Sequence, residues 1–358
     1  MTDVKFGDSA EAIMKHSGLD VAVRRIRAGK FRRYHRVSVM RQLADLPTNV
    51  KNIGDFFMTF VGFVQSLWLL MRFKPDVVFT KGGFVCVPLG LAAKVLNIPL
   101  VIHDSDAHPG LANRILSRWA TTIATGSPVE HYPYPKDKTH YVGIPVDPSF
   151  KPVTDAQRRE YKAQLGFHDI SKPLIVVTGG GLGARTINSA VTSIAPQLTE
   201  RAAIYHITGT VRHHEVMAHA PELIDYQIVP FVSTGMVPVL GAADIVVSRV
   251  GATTMQELAA LAMPVIMVPN PYLTGGHQLK NARVYEEADA AVTVDEEELE
   301  KNPLLLRRAI EELLDDDTHR KHLGKALHAF ARPDAALDMA TLIVEAVRPT
   351  AATERTQS

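Results

Sequence analysis

Pro173-Leu174-Ile175-Val176-Val177-Thr178-Gly179-Gly180-Gly181-Leu182-Gly183-Ala184-Arg185 reads as a buried strand, a glycine turn and the start of a helix. An unbroken apolar run suits a strand covered on both faces, and glycine permits the sharp turn into the helix. The same alternation continues outward in both directions. Strands are expected at Asp76–Thr80, Pro99–His103, Thr122–Ala124, Ala203–Ile207, Tyr226–Pro230, Asp244–Ser248 and Val265–Val268. Helices are expected at Val87–Leu96, Gly110–Ala120 and Arg158–Leu165, with Pro303–Leu314, His319–Phe330 and Asp334–Val347 closing the chain. This βαβα rhythm predicts an α/β protein of doubly wound parallel sheets with helices on both faces.

The rhythm pauses at Pro145-Val146-Asp147-Pro148-Ser149-Phe150-Lys151-Pro152, where the prolines can continue neither element. With 358 residues, two domains are expected, 1–147 and 148–332. Residues 333–348 would form a closing helix packing back on the first domain, and 349–358 a disordered tail. Ligands of such sheets bind outside the carboxyl ends of the strands, so a crevice between the domains is the expected site.

Hydrophobic residues make up 46% and charged residues 22%, a globular balance, and a net charge of +1 argues against a nucleic-acid partner. A single cysteine, Cys86, excludes an internal disulfide and suits a reducing cytoplasm. No basic-then-apolar leader opens the chain. Arg24, Arg25, Arg27, Lys30, Arg32, Arg33, Arg36 and Arg41 form a run without an acid. The apolar stretch Phe56–Met71 contains Thr59, Gln65 and Ser66, and is expected as a buried or interfacial helix rather than a transmembrane one.

Three turns in the second half carry the chemistry. The amino end of the helix after Gly179–Gly183 presents free N–H groups to a phosphate. A nicotinamide dinucleotide would also want an acid ending the next strand, and Glu200 instead precedes Ala203–Ile207. Next, Gly251, Ala252, Thr253 and Thr254 offer small side chains, two hydroxyls and a positive helix end, which suit the diphosphate of a nucleotide sugar. Glu257 would take the hydroxyls of a ribose; alternatively Thr253 or Thr254 caps the helix and Glu257 completes the cap. Third, Pro269-Asn270-Pro271-Tyr272 leads into a helix bearing His277, Gln278 and Asn281, whose amides can bond sugar hydroxyls or simply start the helix. In the first half, His103-Asp104-Ser105-Asp106-Ala107-His108 gathers two histidines and two acids on one loop, too local for a metal site. His214 and His219 are five apart and do not share a helix face, so neither a metal nor a cofactor is expected.

In order and spacing these motifs resemble the MurG family, the bacterial N-acetylglucosaminyltransferases of peptidoglycan synthesis. The likeness runs from about Ala28 to Val347 and includes Lys30-Phe31-Arg32-Arg33-Tyr34, Lys74-Pro75-Asp76-Val77-Val78, Gly82-Gly83, Pro109-Gly110-Leu111-Ala112-Asn113-Arg114 and Arg332-Pro333-Asp334-Ala335-Ala336. The resemblance implies a GT-B fold, two Rossmann-like domains facing across a cleft. It also implies UDP-N-acetylglucosamine as donor, lipid I as acceptor, and work at the anionic inner face of the cytoplasmic membrane. A glycolipid synthase acting on diacylglycerol, or a non-catalytic fragment binding UDP-sugar or membrane, are the alternatives.

Donor contacts implied by the resemblance fall on Asp106, Gly181, Val232, Ala252, Thr253, Thr254, Met255, Gln256, Glu257 and Gln278. Gly180, Gly251 and Asn281, from the turns themselves, complete the candidate substrate-binding set. The family usually has Asn at Asp106, Ser-Gln at Gly181-Leu182, and an arginine where Asp147 stands. It opens on a strand and a glycine-rich loop carrying a histidine base, a pattern that Met1 enters late. His103 and Asp106 are the candidates left for that base.

Overall fold

The computed structural model describes residues 1–4, 7–17, 20–29, 46–181, 183–232, 235–272 and 276–347. Most of the basic run, Leu182 and the tail expected at 349–358 lie outside the described residues. Two compact units are formed, Met1–Gly143 with the segment from Ala336, and Ile144–Ala335.

In the first unit β1 (Thr2–Asp3) and β2 (Arg25–Ile26) pair in parallel across the helix Gly7–Ser17. Strands β3 (Val78–Thr80), β4 (Leu100–Asp104), β5 (Thr122–Thr125) and β6 (Thr139–Tyr141) form a parallel sheet in that order. Its core gathers Leu70, Leu100, Ile102, Leu116 and Ile123. The helix Ala335–Glu345 sets Met339 against Ala124 and Val142.

The apolar stretch is part of a helix, Leu46–Phe73, that is buried on one face only. Ser66 and Leu70 are buried, with Phe63 and Leu67 packed on the core. A Cβ at Gly62 would lie 1.8 Å from the Arg27 carbonyl oxygen, so glycine permits the chain to cross there. Gln65 Oε1 accepts from the Arg27 N–H at 2.8 Å, and Thr59 Oγ1 from that of Gly29 at 3.2 Å. On the opposite face Ile53, Phe57, Phe60, Val64, Trp68 and Met71 are exposed. Lys51–Phe73 is long and apolar enough to cross a membrane. Its polar tethers bind one side to its own unit while the other stays exposed, so the helix is not buried all round.

The second unit is a parallel sheet of β7 (Leu174–Thr178), β8 (Ala203–Ile207), β9 (Tyr226–Val229), β10 (Ile245–Ser248), β11 (Val265–Met267) and β12 (Val292–Thr293), ordered β12-β11-β10-β7-β8-β9. Side chains alternate between two cores, which is why the strands read as continuous apolar runs. Ile175, Val177, Val247 and Ile266 face the helices Arg185–Leu198 and Leu304–Asp315. Val176, Val246 and Met267 face the helices Ala252–Leu261 and Asp317–His328. Thr178, Ile207, Val229, Ser248, Met267 and Thr293 are partners in register, so all six strands end level.

Candidate functional site

The chain runs outward from β7 through β8 to β9, then returns to the other side of β7 for β10, β11 and β12. The topological switch therefore lies between β7 and β10, and the turns that follow these two strands flank it.

The turn after β7 is braced below and open above. Gly180 and Gly183 have φ of 81° and 77°, and Gly183 N–H closes on the Gly180 carbonyl at 2.9 Å. A Cβ at Gly183 would lie 2.1 Å from Thr208 O, and one at Gly179 2.4 Å from the Ala184 nitrogen. At Gly180 and Gly181 it would meet nothing. A ligand can therefore approach these two along the backbone. The helix Arg185–Leu198 that follows has no side chain capping its amino end.

The turn after β10 repeats the arrangement. Gly251 is the N-cap of the helix Ala252–Leu261 and no side chain caps it. The cap by Thr253 or Thr254 is therefore not realised, and the first-turn N–H groups keep their dipole end for a ligand. Thr253 is exposed, and Ala252, Thr254 and Glu257 are half-buried. Burial pushes the Glu257 carboxyl above its usual range, and it has no hydrogen-bond or ion-pair partner among the described residues. Met255 and Gln256 are both buried, and Gln256 Nε2 donates to Phe330 O at 3.0 Å. Their spacing puts them on the inner face of the helix, so their side chains hold it in place.

Gln278 and Asn281 also brace the turns. Asn281 is 4% exposed and donates to Val250 O at 3.2 Å, fixing the turn that ends at Gly251. Gln278 Oε1 accepts from the Asn270 N–H at 2.9 Å. The Asn281 amide thus supports the β10 turn. Arg249, unnoticed in the sequence, ties the same region together: it donates to Val268 O at 3.0 Å and forms a nearly buried ion pair with Glu296. Val232 is buried, so it can offer a ligand only its backbone. Phe231, beside it, is 60% exposed just past the end of β9, a flat apolar surface of the kind a base stacks on.

In the first unit β4 ends in the loop carrying His103 and Asp106. His103 is fully buried; its Nε2 donates to Gly143 O at 2.9 Å and its Nδ1 accepts from the Ser105 hydroxyl at 3.2 Å. Desolvation holds its pKa near 4. Both nitrogens are engaged away from solvent, which removes His103 as a base. Asp106 is half-buried, and its carbonyl accepts from Tyr132 Oη at 2.8 Å. Tyr134 Oη donates to Asp104 Oδ2 at 2.7 Å and stacks on Tyr132, so two tyrosines anchor the loop. In the proline-rich segment, Asp147 accepts from the backbone and hydroxyl of Ser149, a turn-building role. Among the described residues no group of three or more His, Cys, Asp or Glu could hold a metal ion.

Parallel α/β sheets in two units, the second with uncapped helix ends at its switch point, have the layout of the GT-B fold. Residues 9–125 match the glycosyltransferase family 28 N-terminal domain and residues 174–339 its C-terminal domain. The first match begins ahead of Ala28, where the likeness was expected to start. The chain is 33% identical over 318 residues to the UDP-N-acetylglucosamine--N-acetylmuramyl-(pentapeptide) pyrophosphoryl-undecaprenol N-acetylglucosamine transferase of Halothermothrix orenii, covering 86% of this chain and 85% of that one. The enzyme of the same name from Halalkalibacterium halodurans is 35% identical, at 89% and 85% coverage. The chain belongs to this family, the MurG transferases of glycosyltransferase family 28. In fold it is similar to the crystal structure of Acinetobacter baumannii MurG, with TM-score 0.68 and 24% identity, covering 94% of this chain and 88% of that one. A Neisseria meningitidis UDP-GlcNAc 2-epimerase bound to UDP-GlcNAc shares the fold at TM-score 0.58 and 14% identity, covering 80% and 81%.

Proposed function

We propose that this chain transfers N-acetylglucosamine from UDP-N-acetylglucosamine to undecaprenyl-diphospho-muramoyl-pentapeptide, lipid I, by direct displacement with inversion at the anomeric carbon. The observation that carries the reading is the pair of uncapped helix ends flanking the switch point, with Glu257 unpartnered beside one of them. Backbone N–H groups at Gly251–Thr254 would hold the diphosphate and stabilise the charge that grows on departing UDP. Glu257 would take the ribose hydroxyls, while Gly180 and Gly181 leave room for the sugar. Val232 would meet the base through its backbone, and Gln278 would border the sugar. The names of the relatives supply the acceptor class.

The acceptor's bilayer anchor gives the exposed face of Leu46–Phe73 a role: it would rest on an anionic membrane surface, apolar side inward. The deciding experiment offers the purified chain labelled UDP-N-acetylglucosamine with lipid I in one assay and diacylglycerol in another. A β-linked disaccharide lipid from the first supports the reading. Transfer to diacylglycerol alone, or to neither, overturns it.

A further inference from the structure

A buried line of polar groups runs beneath the glycine turn, and none of them reaches the candidate site directly. His206, on β8, is 0% exposed. Its Nδ1 lies 2.8 Å from Tyr226 Oη and its Nε2 3.1 Å from Asn188 Oδ1. Asn188 Nδ2 donates to Thr208 O at 2.9 Å. Thr192 Oγ1 is 3.4 Å from Tyr226 Oη.

The directions of these bonds are forced. Turning the Asn188 amide over would bring its oxygen against the Thr208 carbonyl, two acceptors facing each other. Asn188 Oδ1 therefore faces His206, so His206 Nε2 carries the proton and its bare Nδ1 accepts from Tyr226. Burial holds the imidazole neutral, with a pKa near 3, so this tautomer persists at physiological pH. Every donor along the line points one way, towards Thr208.

Thr208 is where the line meets the turn. Its own N–H donates to Val229 O at 3.0 Å and its hydroxyl to the same oxygen at 3.2 Å, so two bonds pin the residue to the end of β9. Its carbonyl lies against Gly183, which has no room there for a Cβ. Asn188 sits on the first turn of the helix Arg185–Leu198, its N–H bonded to Ala184 O at 2.9 Å. One side chain thus fixes both the floor of the glycine turn and the helix end that follows it.

We infer that His206 is a positioning residue for the donor: through Asn188 and Thr208 it sets the height and direction of the backbone at Gly179–Gly181 and Gly183 that receives the nucleotide sugar. This rests on the donor reading proposed above. No atom of His206 touches the ligand; it acts by denying the turn a second conformation.

The test uses the full chain and three variants: His206→Phe, which keeps a ring beside Tyr226 but loses both bonds, Asn188→Ala, and the control Ile194→Val on the buried face of the same helix. Amide exchange of residues 179–185 and UDP affinity by calorimetry are measured well below each unfolding midpoint. Both network variants should speed exchange in that segment and raise the Kd for UDP about tenfold, the scale of one lost buried hydrogen bond. The KM for the lipid acceptor should stay unchanged, and Ile194→Val should lower Tm without moving exchange or affinity. If His206→Phe does not fold, Asn188→Ala alone decides. Parental exchange or parental affinity in the network variants overturns the inference, as does an equal effect from Ile194→Val. A parent chain that does not bind UDP overturns the donor reading instead, and the exchange comparison then decides the inference.

Discussion

A carboxylate half withdrawn from water and left without a donor among the described residues, as Glu257 is, stays at a disadvantage until ligand hydroxyls reach it. Glu257→Ala should therefore weaken UDP-N-acetylglucosamine binding by about 1.5–3 kcal/mol, the scale of charge-assisted hydrogen bonds. Unchanged affinity in calorimetry would take Glu257 out of the ribose role. Asp106 calls for a different test, because the family's usual asparagine at that place cannot abstract a proton. If Asp106 is a sugar contact, Asp106→Asn keeps an acceptor and should leave kcat within about threefold; a general base would cost about a hundredfold or more. The two roles separate in one kinetic comparison. At this scale the sequence was legible where backbone conformation demands glycine, as at Gly180 and Gly183, since few other residues adopt that φ. It was opaque where a polar residue serves the fold. Gln256 and Asn281 look like ligand groups in a string of letters, and only burial turns them inward.

Elements followed the same division. The strands of the second unit were readable because burial on both faces makes them continuous apolar runs, whereas the short β6 and β12 carry no such signal. The helix expected at Arg158–Leu165 begins earlier, at Asp155, because Thr154 and Gln157 form a reciprocal cap that lies outside any apolar pattern. The helix Leu46–Phe73 shows the limit most clearly. Its composition is apolar all round, so periodicity could not say which face is covered. The covered face is set by Gly62, Ser66 and the tethers from Thr59 and Gln65. Arg25 changes the accompanying charge argument, since it pairs with Asp8 and Glu11 and is not free to meet a lipid. Of the basic run, Arg24 and Arg27 remain in the described part, and a membrane contact there would rest on them and on the aromatic face. Burying each of Phe57, Phe60 and Trp68 in a bilayer interface is worth about 1.5–3 kcal/mol at most. Their joint replacement by Ser should abolish flotation with anionic vesicles while far-UV circular dichroism is retained. Flotation equal to the parent's would remove this face from the membrane.

For the molecule as a whole, buried titratable groups make the two units respond differently to acid. His206 lies in the second unit with its pKa pushed from 6.5 to about 3, and His103 in the first with its pKa pushed to about 4. For a depressed histidine the folded state refuses a proton that the unfolded chain accepts. The stability it contributes is therefore present above pH 6.5 and is lost as the pH falls towards the folded value. Between pH 7.5 and 5 each histidine costs its unit about 2 kcal/mol. Asp104, in the first unit, works the other way. Its pKa is raised from 3.8 to about 6 by burial, so the folded state takes up a proton first and regains about 1.4 kcal/mol by pH 5. The first unit should thus lose less than about 1 kcal/mol and the second up to about 2, part of which the raised Glu257 carboxyl returns. Both tryptophans of the chain, Trp68 and Trp119, lie in the first unit, so fluorescence follows that unit alone while circular dichroism follows both. At pH 7.5 and at pH 5 urea unfolding is followed by both probes. On acidification the circular-dichroism transition should move to lower urea by more than the fluorescence transition, and His206→Phe, which cannot charge, should remove most of that difference. Equal shifts by both probes in the parent would show that His206 does not govern the acid response of its unit.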